Sequence, residues 1–210
     1  MMKQIRYIVI FGLAVAVLAI LVGQVDCWKA KSGSWATNEY EILSKTCNAD
    51  GNTVAHLLAK YNPNWLPQNQ DVRLLKLKTK TGWTVAHELA YSKPIWRTDD
   101  KAILSLTYGY GDSVAHTLAK YNRTWLPKDP AVLSIRRDDD WTVAHLLAWE
   151  NPWWSSDDPV VLSLRNDMDN SVAHLLAFRH PSWTTNDEAI LTLTDSQGDT
   201  VADVLAKYRN

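Results

Sequence analysis

A hexapeptide recurs along this chain at nearly constant spacing, and this periodicity constrains the fold more than any other feature. It reads VAHLLA at Val54–Ala59 and returns in related form five more times. Its third residue stands at positions 56, 87, 116, 145, 174 and 203, so the steps are 31, 29, 29, 29 and 29 residues. A series of tryptophans keeps nearly the same spacing at positions 35, 65, 96, 125, 154 and 183. Two series in phase indicate stacked structural repeats.

Each hexapeptide has the pattern of a short helix. A threonine or serine precedes every copy, in the position where an N-cap hydroxyl is preferred. Apolar residues then recur with helical spacing. Proline cannot continue a helix, and it follows four of the copies, at Pro63, Pro94, Pro152 and Pro181. The sequence therefore predicts one short helix in each repeat.

Two signals compete in the second half of each repeat. Asp129-Pro130 and Asp158-Pro159 favour a helix with an aspartate N-cap and proline in its first position. The residues that follow, V-L-S-I and V-L-S-L, alternate like a strand. A single helical turn that runs into an extended segment satisfies both signals, and we expect that arrangement without fixing its boundary.

One array is expected over residues 28–210, because no linker or low-complexity segment interrupts the repeats. The predicted units are a half-repeat at 35–52, repeats at about 53–81, 82–111, 112–140, 141–169 and 170–198, and a terminal half-repeat at 199–210. Half-units at both ends are typical of caps on a stack in which each repeat contacts only its neighbours.

Residues 1–27 have the composition of an export segment. Lys3 and Arg6 precede an apolar run from Tyr7 to about Gly23, as in a signal peptide or a signal-anchor helix. The run is long for a signal and slightly short for a membrane span of about 20 residues, so both outcomes stay open. Because the two cations favour a cytoplasmic N-terminus, we expect the rest of the chain to be periplasmic or secreted, with a membrane anchor if the segment is retained.

The chain has two cysteines, Cys27 and Cys47. In an oxidising compartment they can form a disulfide at the start of the folded region. Two alternatives stay open. Cys27 can be lipid-modified, although Val25-Asp26 lacks the small residue of such processing sites, or both residues can be free thiols.

The charge balance excludes one class of partner. The chain has 22 lysines and arginines against 23 aspartates and glutamates, with the two signs interleaved. Nucleic-acid-binding domains usually carry a basic stripe, so we expect no nucleic-acid partner. The common catalytic motifs, such as G-x-S-x-G, H-E-x-x-H and the Walker loop, do not occur either.

The segment D-x-x-G-x-T-V-A-H-x-L-A resembles the ankyrin repeat, whose first helix opens with T-P-L-H-x-A. The best copies run from Asp50 to His56 and from Gly82 to His87, and the resemblance covers about residues 35–210. Valine replaces the family's proline, and the unit has 29 residues where the family has about 33. The resemblance implies a mainly α repeat solenoid with short second helices and hairpin connections. The apolar run of residues 1–27 adds an N-terminal hydrophobic helix before it. A leucine-rich repeat has a similar period, but its asparagine and strand pattern is absent.

The recurring histidines have a structural and a catalytic interpretation. Packed helices lie about 8–10 Å apart, too far for these imidazoles to share one zinc at about 2.0–2.1 Å. In ankyrin-like repeats the matching histidine ties neighbouring loops together. The resemblance therefore implies a structural inter-repeat role for His56, His87, His116, His145 and His174. The last copy carries Asp203 instead, where no further repeat needs holding, and His180 lies outside the series as an expected surface residue.

An enzyme remains the rival hypothesis. Asp138, Asp139 and Asp140 stand shortly before His145, and together they offer ligands for a metal-dependent hydrolase. A solvated loop is the structural interpretation of the three carboxylates, and a weak calcium contact is a third. We predict no catalytic residue, no metal and no cofactor, and we expect the repeat tryptophans to be core residues.

Residues that break the repeat pattern are candidates for partner contacts. In proteins that this chain resembles, turn tips and the inner helix face contact partners, and aromatic residues are enriched in interface hot spots. The candidates are Trp83, Tyr108, Tyr110 and Trp141 in the turns, and Tyr91, Trp149 and Phe178 on the helices. Packing on neighbouring loops is the alternative role.

The sequence thus predicts a non-enzymatic, extracytoplasmic protein-binding scaffold whose protein partner is unidentified. An immunity or inhibitor protein is a more specific variant. The alternatives are the metal-dependent hydrolase and an envelope spacer without a specific partner.

Overall fold

The computed structural model describes residues 24–208. Most of the predicted export segment therefore lies outside the described residues, and its last four residues, 24–27, lie in helix α1 at 24–31. Within the described part of the chain, no helix combines the length and apolarity needed to cross a membrane. Residue contacts divide the chain into two compact units, with the division between Leu89 and Ala90.

Two kinds of helix alternate after α1. The eight-residue helices are α3 (Val54–Tyr61), α5 (Val85–Ser92), α7 (Val114–Tyr121), α9 (Val143–Glu150), α11 (Val172–Arg179) and α13 (Val201–Tyr208). The four-residue helices are α2 (Tyr40–Leu43), α4 (Val72–Leu75), α6 (Lys101–Leu104), α8 (Pro130–Leu133), α10 (Pro159–Leu162) and α12 (Glu188–Leu191). A 3₁₀ turn, Gln68–Gln70, precedes α4. The predicted mainly helical, repeating organisation is confirmed.

Two of the four-residue helices, α8 and α10, begin at the aspartate–proline pairs that the sequence indicates. The carboxylates of Asp129 and Asp158 accept hydrogen bonds from the backbone N–H groups of Ala131 and Val160, at 2.9 and 2.8 Å. Proline occupies the first position of both helices, where a missing N–H costs nothing. Each helix lasts one turn before the chain becomes extended.

Each extended segment turns back as a hairpin into the next eight-residue helix. In the second unit one hairpin has paired strands, β1 (Thr107–Tyr108) and β2 (Asp112–Ser113), which are antiparallel. Single bridges, such as Arg136 with Thr142, close other hairpins. Two residues before each N-cap the backbone has positive φ, at Gly51, Gly82, Gly111, Asp140, Asp169 and Gly198.

The core lies between consecutive helices. Val143, Ala144, Leu147 and Ala148 of α9 are fully buried, and the small alanines allow the helices to approach closely. In the second unit α7 packs on α9, α9 on α11, and α11 on α13. This nearest-neighbour packing is the arrangement expected of stacked repeats.

The repeat tryptophans are core residues, as predicted, with the exception of the first. Trp65, Trp96, Trp125, Trp154 and Trp183 are buried, whereas Trp35 is half-buried. The indole N–H groups of Trp65, Trp154 and Trp183 donate to carbonyls of the preceding loop, namely those of Thr37 at 3.2 Å, Pro127 at 3.4 Å and Ser156 at 3.4 Å. A buried aromatic side chain removes roughly 150–250 Å² from water, which supplies much of the core of such a thin repeat.

Helix α1 is tied to the first hairpin. Cys27 and Cys47 form a disulfide, so the described residues contain no free cysteine. The buried Asp26 carboxylate also lies 2.8 Å from the Lys45 Nζ. The start of the first unit is therefore held covalently and by an ion pair.

Candidate partner-binding surface

The recurring histidines cap their own helices. In all five copies Nδ1 lies 3.2–3.3 Å from the backbone nitrogen of the N-cap residue and 2.7–2.8 Å from its hydroxyl oxygen. In α9 the Thr142 hydroxyl in turn accepts from the His145 N–H at 3.3 Å. The pair forms a capping box in which histidine takes the place of the usual glutamate.

The opposite ring nitrogen reaches the next repeat. Nε2 of His145 lies 3.1 Å from the carbonyl oxygen of Asn170, and Nε2 of His174 lies 3.2 Å from that of Asp199. His56 and His116 meet the carbonyls of Trp83 and Trp141 in the same way, at 3.3 and 3.2 Å. Since Nδ1 accepts the N-cap N–H, Nε2 must carry the proton and donate it. Four of the recurring histidines thus join neighbouring repeats, and all five together are called the histidine ladder below.

Burial favours the neutral form of four histidines of the ladder. It lowers the pKa of His56, His116 and His145 to about 4, against the opposing effect of the hydrogen bond to the next carbonyl. The pKa of His174 is lowered for the same reason. Both nitrogens of His145 are engaged, which leaves neither free as a base or a metal ligand.

In the final copy of the hexapeptide, Asp203 keeps the hydrogen bonds to the N-cap residue but lacks the histidine's hydrogen bond to a following hairpin. A carboxylate oxygen of Asp203 accepts from the N–H and the hydroxyl of Thr200, at 2.9 and 2.5 Å. These hydrogen bonds lower the pKa of Asp203. The shorter side chain replaces the capping half of histidine and offers nothing to a further repeat.

The three carboxylates before His145 do not converge on it. Asp139 is paired with Arg137 at 2.5 Å, and Asp140 with Arg136 at 3.4 Å. Burial would raise the pKa of Asp139, but the hydrogen bonds from Arg137 and from the Trp141 N–H hold it below its usual value. Across residues 24–208, no three histidine, cysteine, aspartate or glutamate side chains are grouped to hold a metal ion.

Four aromatic rings form a continuous surface in the second unit. Trp141 meets Trp149 edge-on at 6.3 Å between ring centroids, Trp149 stacks with Phe178 at 6.0 Å, and Phe178 meets Tyr208 edge-on at 4.8 Å. These rings, called the aromatic row below, stand on a hairpin and on the ends of α9, α11 and α13. Trp149, Phe178 and Tyr208 remain 36–39% exposed even though they contact one another.

Three of the seven sequence-predicted contact residues belong to this row, and four lie apart from it. Tyr91 pairs edge-on with Tyr121 at 4.7 Å, and both are exposed. Tyr110 is 85% exposed at a hairpin tip. Tyr208, which completes the row, was not a sequence-predicted contact, because its own copy carries lysine at the position occupied by Trp149 and Phe178.

The remaining two candidates, Trp83 and Tyr108, are partly packed within their own surroundings. The Trp83 ring lies 5.1 Å from that of His87, and its Nε1 donates to a Glu88 carboxylate oxygen at 2.9 Å. Tyr108 is half-buried in β1, and burial, followed by the nearby Asp112 charge, raises the pKa of its hydroxyl. These two side chains are less available to a partner than the aromatic row.

A second set of links between repeats was not anticipated from the sequence. At the ends of the eight-residue helices, Nδ2 of Asn122 donates to the carbonyl of Trp96 at 2.9 Å, and Nδ2 of Asn151 to that of Arg123 at 3.0 Å. His180 occupies the same position, with Nε2 2.8 Å from the carbonyl of Ala148. The expectation that His180 lies on the surface was wrong, because this bond to the preceding repeat buries it.

The near-neutral total charge conceals an uneven distribution. Residues 90–208 contain 17 acidic and 11 basic side chains, whereas residues 24–89 contain 6 acidic and 8 basic ones. The second unit, which carries the aromatic row, is therefore acidic. Along the sequence the two signs look interleaved, and only the division into units separates them.

The second unit also has a groove of about 620 Å³ between the loops that lead into its four-residue helices. Leu126, Lys128, Trp153 and Asp157 are among its lining residues. Trp153 is 79% exposed. This groove lies outside the aromatic row and provides a tryptophan of comparable chemistry for control experiments.

No protein-family model matches this chain, and no curated protein matches it. Among solved structures, the chain is similar to one described as "Bd0816 Predatory Endopeptidase from Bdellovibrio bacteriovorus in complex with immunity protein Bd3460". The match covers 87% of this chain and 91% of the other, with 14% identity and a TM-score of 0.46. A likeness at this level carries no conclusion about fold or function.

Proposed function

We propose that this chain is a non-enzymatic, extracytoplasmic scaffold of ankyrin-like repeats that binds a protein partner through the aromatic row of its second unit. The observation that carries the proposal is the exposure of Trp149, Phe178 and Tyr208, which form with Trp141 one unbroken set of ring contacts. Scattered exposed apolar residues need no explanation, but a contiguous patch marks an interaction site.

The chemistry of the row suits a protein interface. Tryptophan and tyrosine dominate binding hot spots because they bury a large area with few rotatable bonds. The guanidinium of Arg179 stacks over Trp149 at 4.6 Å, and arginine is likewise enriched in such sites. A surface that presents aromatic faces and a cation beside them can take both apolar and polar groups of a partner.

The ankyrin-like assignment is supported by the local architecture of the repeat. A repeat that carries the histidine combines a hairpin, a helix capped by Thr/Ser and histidine, and a second helix. The histidine reaches the following hairpin. The second helix lasts only one turn in every copy, which accounts for a unit shorter than the ankyrin repeat.

The disulfide supports a location outside the cytoplasm. Disulfides persist in oxidising compartments and are rare where thiols are kept reduced. Cys27, the last residue of the proposed export segment, is bonded to Cys47, so folding of the first unit would be completed after translocation.

The proposal is tested with the full chain, tagged at its C-terminus and isolated from the envelope of cells that produce it. The variant Trp149→Ser/Phe178→Ser removes the centre of the aromatic row. The control Trp153→Ser removes a more exposed tryptophan from the groove of the same unit. Retained proteins are identified by mass spectrometry, and thermal unfolding verifies that each variant is folded.

We expect a protein retained by the parent and by Trp153→Ser to be lost from the double variant. If the double variant retains the same protein equally well, the aromatic row is not the site. If the folded parent retains no protein at all, the scaffold function itself is rejected.

A further inference from the structure

We infer that the partner segment seated on the aromatic row is basic, with apolar side chains that contact the rings and cationic side chains that face the hairpins. This inference rests on the proposed function and adds the chemistry of the partner to it. The charged groups on the hairpins and helix ends beside the aromatic row support it.

The hairpins of the second unit form an acidic edge, defined as residues 107–112, 136–141, 165–170 and 194–199. This edge contains eight aspartates, three arginines and no lysine or glutamate, which gives it a net charge of −5. The excess of one sign on a connected edge produces an electrostatic potential that a partner of opposite charge can recognise.

The arginines of the acidic edge are already neutralised by neighbours. Arg137 pairs with Asp139 and Asp112, at 2.5 and 3.4 Å, and Arg165 pairs with Asp169 at 2.8 Å. Of the eight aspartates on this edge, four have no ion pair within residues 24–208, namely Asp138, Asp167, Asp195 and Asp199. These four carboxylates remain to attract a cation from outside.

The acidic edge and the aromatic row are continuous. Trp141 belongs to both, since it ends the hairpin 136–141 and its ring meets Trp149. The Arg137 guanidinium lies over the Trp141 ring at 5.9 Å and is held there by its two aspartates. A segment bound along the row therefore has one end at the acidic edge, where Trp141 lies.

The other end of the row has the opposite sign. Arg179 lies over Trp149 and Lys207 over Tyr208, at 4.6 and 5.4 Å. Both cations stand at the C-terminal ends of their helices. The row is thus flanked by carboxylates on the hairpin side and by cations on the helix side, which assigns the partner's basic residues to the hairpin side.

The experiment uses three synthetic amphipathic peptides and the full chain in detergent. The first has leucine on one face and lysine on the other, the second has glutamate in place of lysine, and the third has serine in place of leucine. Binding is measured by fluorescence anisotropy from low salt to about 0.5 M salt, a range over which exposed charges become screened.

Two triple variants remove the same charge from different places. The hairpin variant is Asp138→Asn/Asp167→Asn/Asp199→Asn, and the control is Asp99→Asn/Asp157→Asn/Glu188→Gln, in the loops and first turns before the four-residue helices. Asp167→Asn alone serves if the hairpin triple is less stable than the parent. The row variant Trp149→Ser/Phe178→Ser is measured alongside.

We expect the lysine–leucine peptide to bind best and the hairpin variant to weaken it by about tenfold at low salt, since individual exposed pairs contribute modestly and three are removed. The control should change the dissociation constant by less than about twofold, and the row variant should weaken binding across the whole salt range. Equal weakening by the hairpin and control variants would overturn the inference, as would binding of the glutamate peptide with the same affinity or no peptide binding.

Binding of the natural partner by the same variants distinguishes failure of this inference from failure of the proposed function. If the row variant loses that partner while the hairpin variant keeps it with unchanged salt dependence, the scaffold function stands and the basic partner is rejected. If the row variant keeps it, the proposed site itself is wrong.

Discussion

Gly111 lies directly against Asp138 of the next hairpin. A Cβ added to Gly111 would stand 2.7 Å from the Asp138 Oδ1 and 3.1 Å from its backbone nitrogen. The Asp138 N–H also donates to the carbonyl of Tyr110 at 3.2 Å. These two adjacent hairpins of the second unit are therefore joined through their backbones as well as through the histidine ladder.

This contact predicts a difference between two equivalent glycines. Gly111 and Gly198 both have positive φ, at 80° and 87°, but a Cβ at Gly198 would meet nothing within 4 Å. We expect Gly198→Ala to lower the free energy of unfolding by roughly 1–2 kcal/mol through backbone strain alone. Gly111→Ala should cost roughly 1–3 kcal/mol more, because the next hairpin must shift. Urea unfolding of both variants measures the difference, and equal losses would show that the hairpins do not stack closely.

A second prediction concerns acid. The pKa of His56, His116 and His145 is about 4 in the folded chain and near 6.5 when unfolded. Between these values the unfolded state binds more protons, so stability is complete above pH 6.5 and falls as the pH drops toward 4. Each histidine contributes a slope of about 1.4 kcal/mol per pH unit in this window.

The urea midpoint measured between about pH 7.5 and about pH 5 tests this dependence, since carboxylates titrate mainly below that range. The variant His145→Gln should show a smaller slope than the parent. A midpoint that stays constant from pH 6.5 to 5 would mean that the ladder histidines are not held neutral by folding.

A third prediction compares the two versions of the cap. His145→Ala leaves the Thr142 N–H and the Asn170 carbonyl without partners in a buried place, so we expect a loss of roughly 2–4 kcal/mol from unpaired groups and a cavity. Asp203→Ala removes only an exposed cap and should cost roughly 0.5–2 kcal/mol. Thermal unfolding of the two variants provides the comparison. Similar losses would indicate that the bond across repeats contributes little.

The fourth prediction concerns the disulfide. Cys27 and Cys47 are 20 residues apart, and closing a loop of this size stabilises a chain by roughly 3 kcal/mol in the chain-entropy model. We expect Cys27→Ser/Cys47→Ser to lower the stability of the first unit by about that amount, and a reductant to have the same effect on the parent. Addition of reductant to the double variant is the control and should change nothing. An unchanged unfolding midpoint after complete reduction would contradict the prediction.

The eight-residue helices could be predicted from the sequence because their limits depend on residues that lie close together in the chain. The N-cap hydroxyl, the apolar spacing and the following proline all lie within ten residues of one another, as Thr142 and Pro152 show. The single-turn helix at Pro130–Leu133 also followed from a local signal, the aspartate cap before proline.

The features that sequence reasoning missed depend on partners in another repeat. Asn151 and His180 share one role at the helix ends and stand one repeat step apart, but they differ in residue type, so residue identity alone does not connect them. Asp140 and Asp169 occupy the positive-φ position that glycine fills in the other repeats. Aspartate tolerates this backbone conformation better than most residues. The exposure of Tyr208 beside Phe178 likewise appears only when consecutive helices are packed.

The acceptors of the histidine ladder have a consequence for how the surface can vary. They are main-chain carbonyl oxygens, and the residues that supply them are Trp83, Trp141, Asn170 and Asp199. The hydrogen bond between repeats therefore does not depend on which side chain stands at that position. The side chain at this position can change without removing the link, and Trp141 shows that it can belong to the aromatic row. At this position the main-chain carbonyl holds neighbouring repeats together, whereas the side chain is available to contact a partner. New binding specificities can therefore be engineered there while the links between repeats are kept.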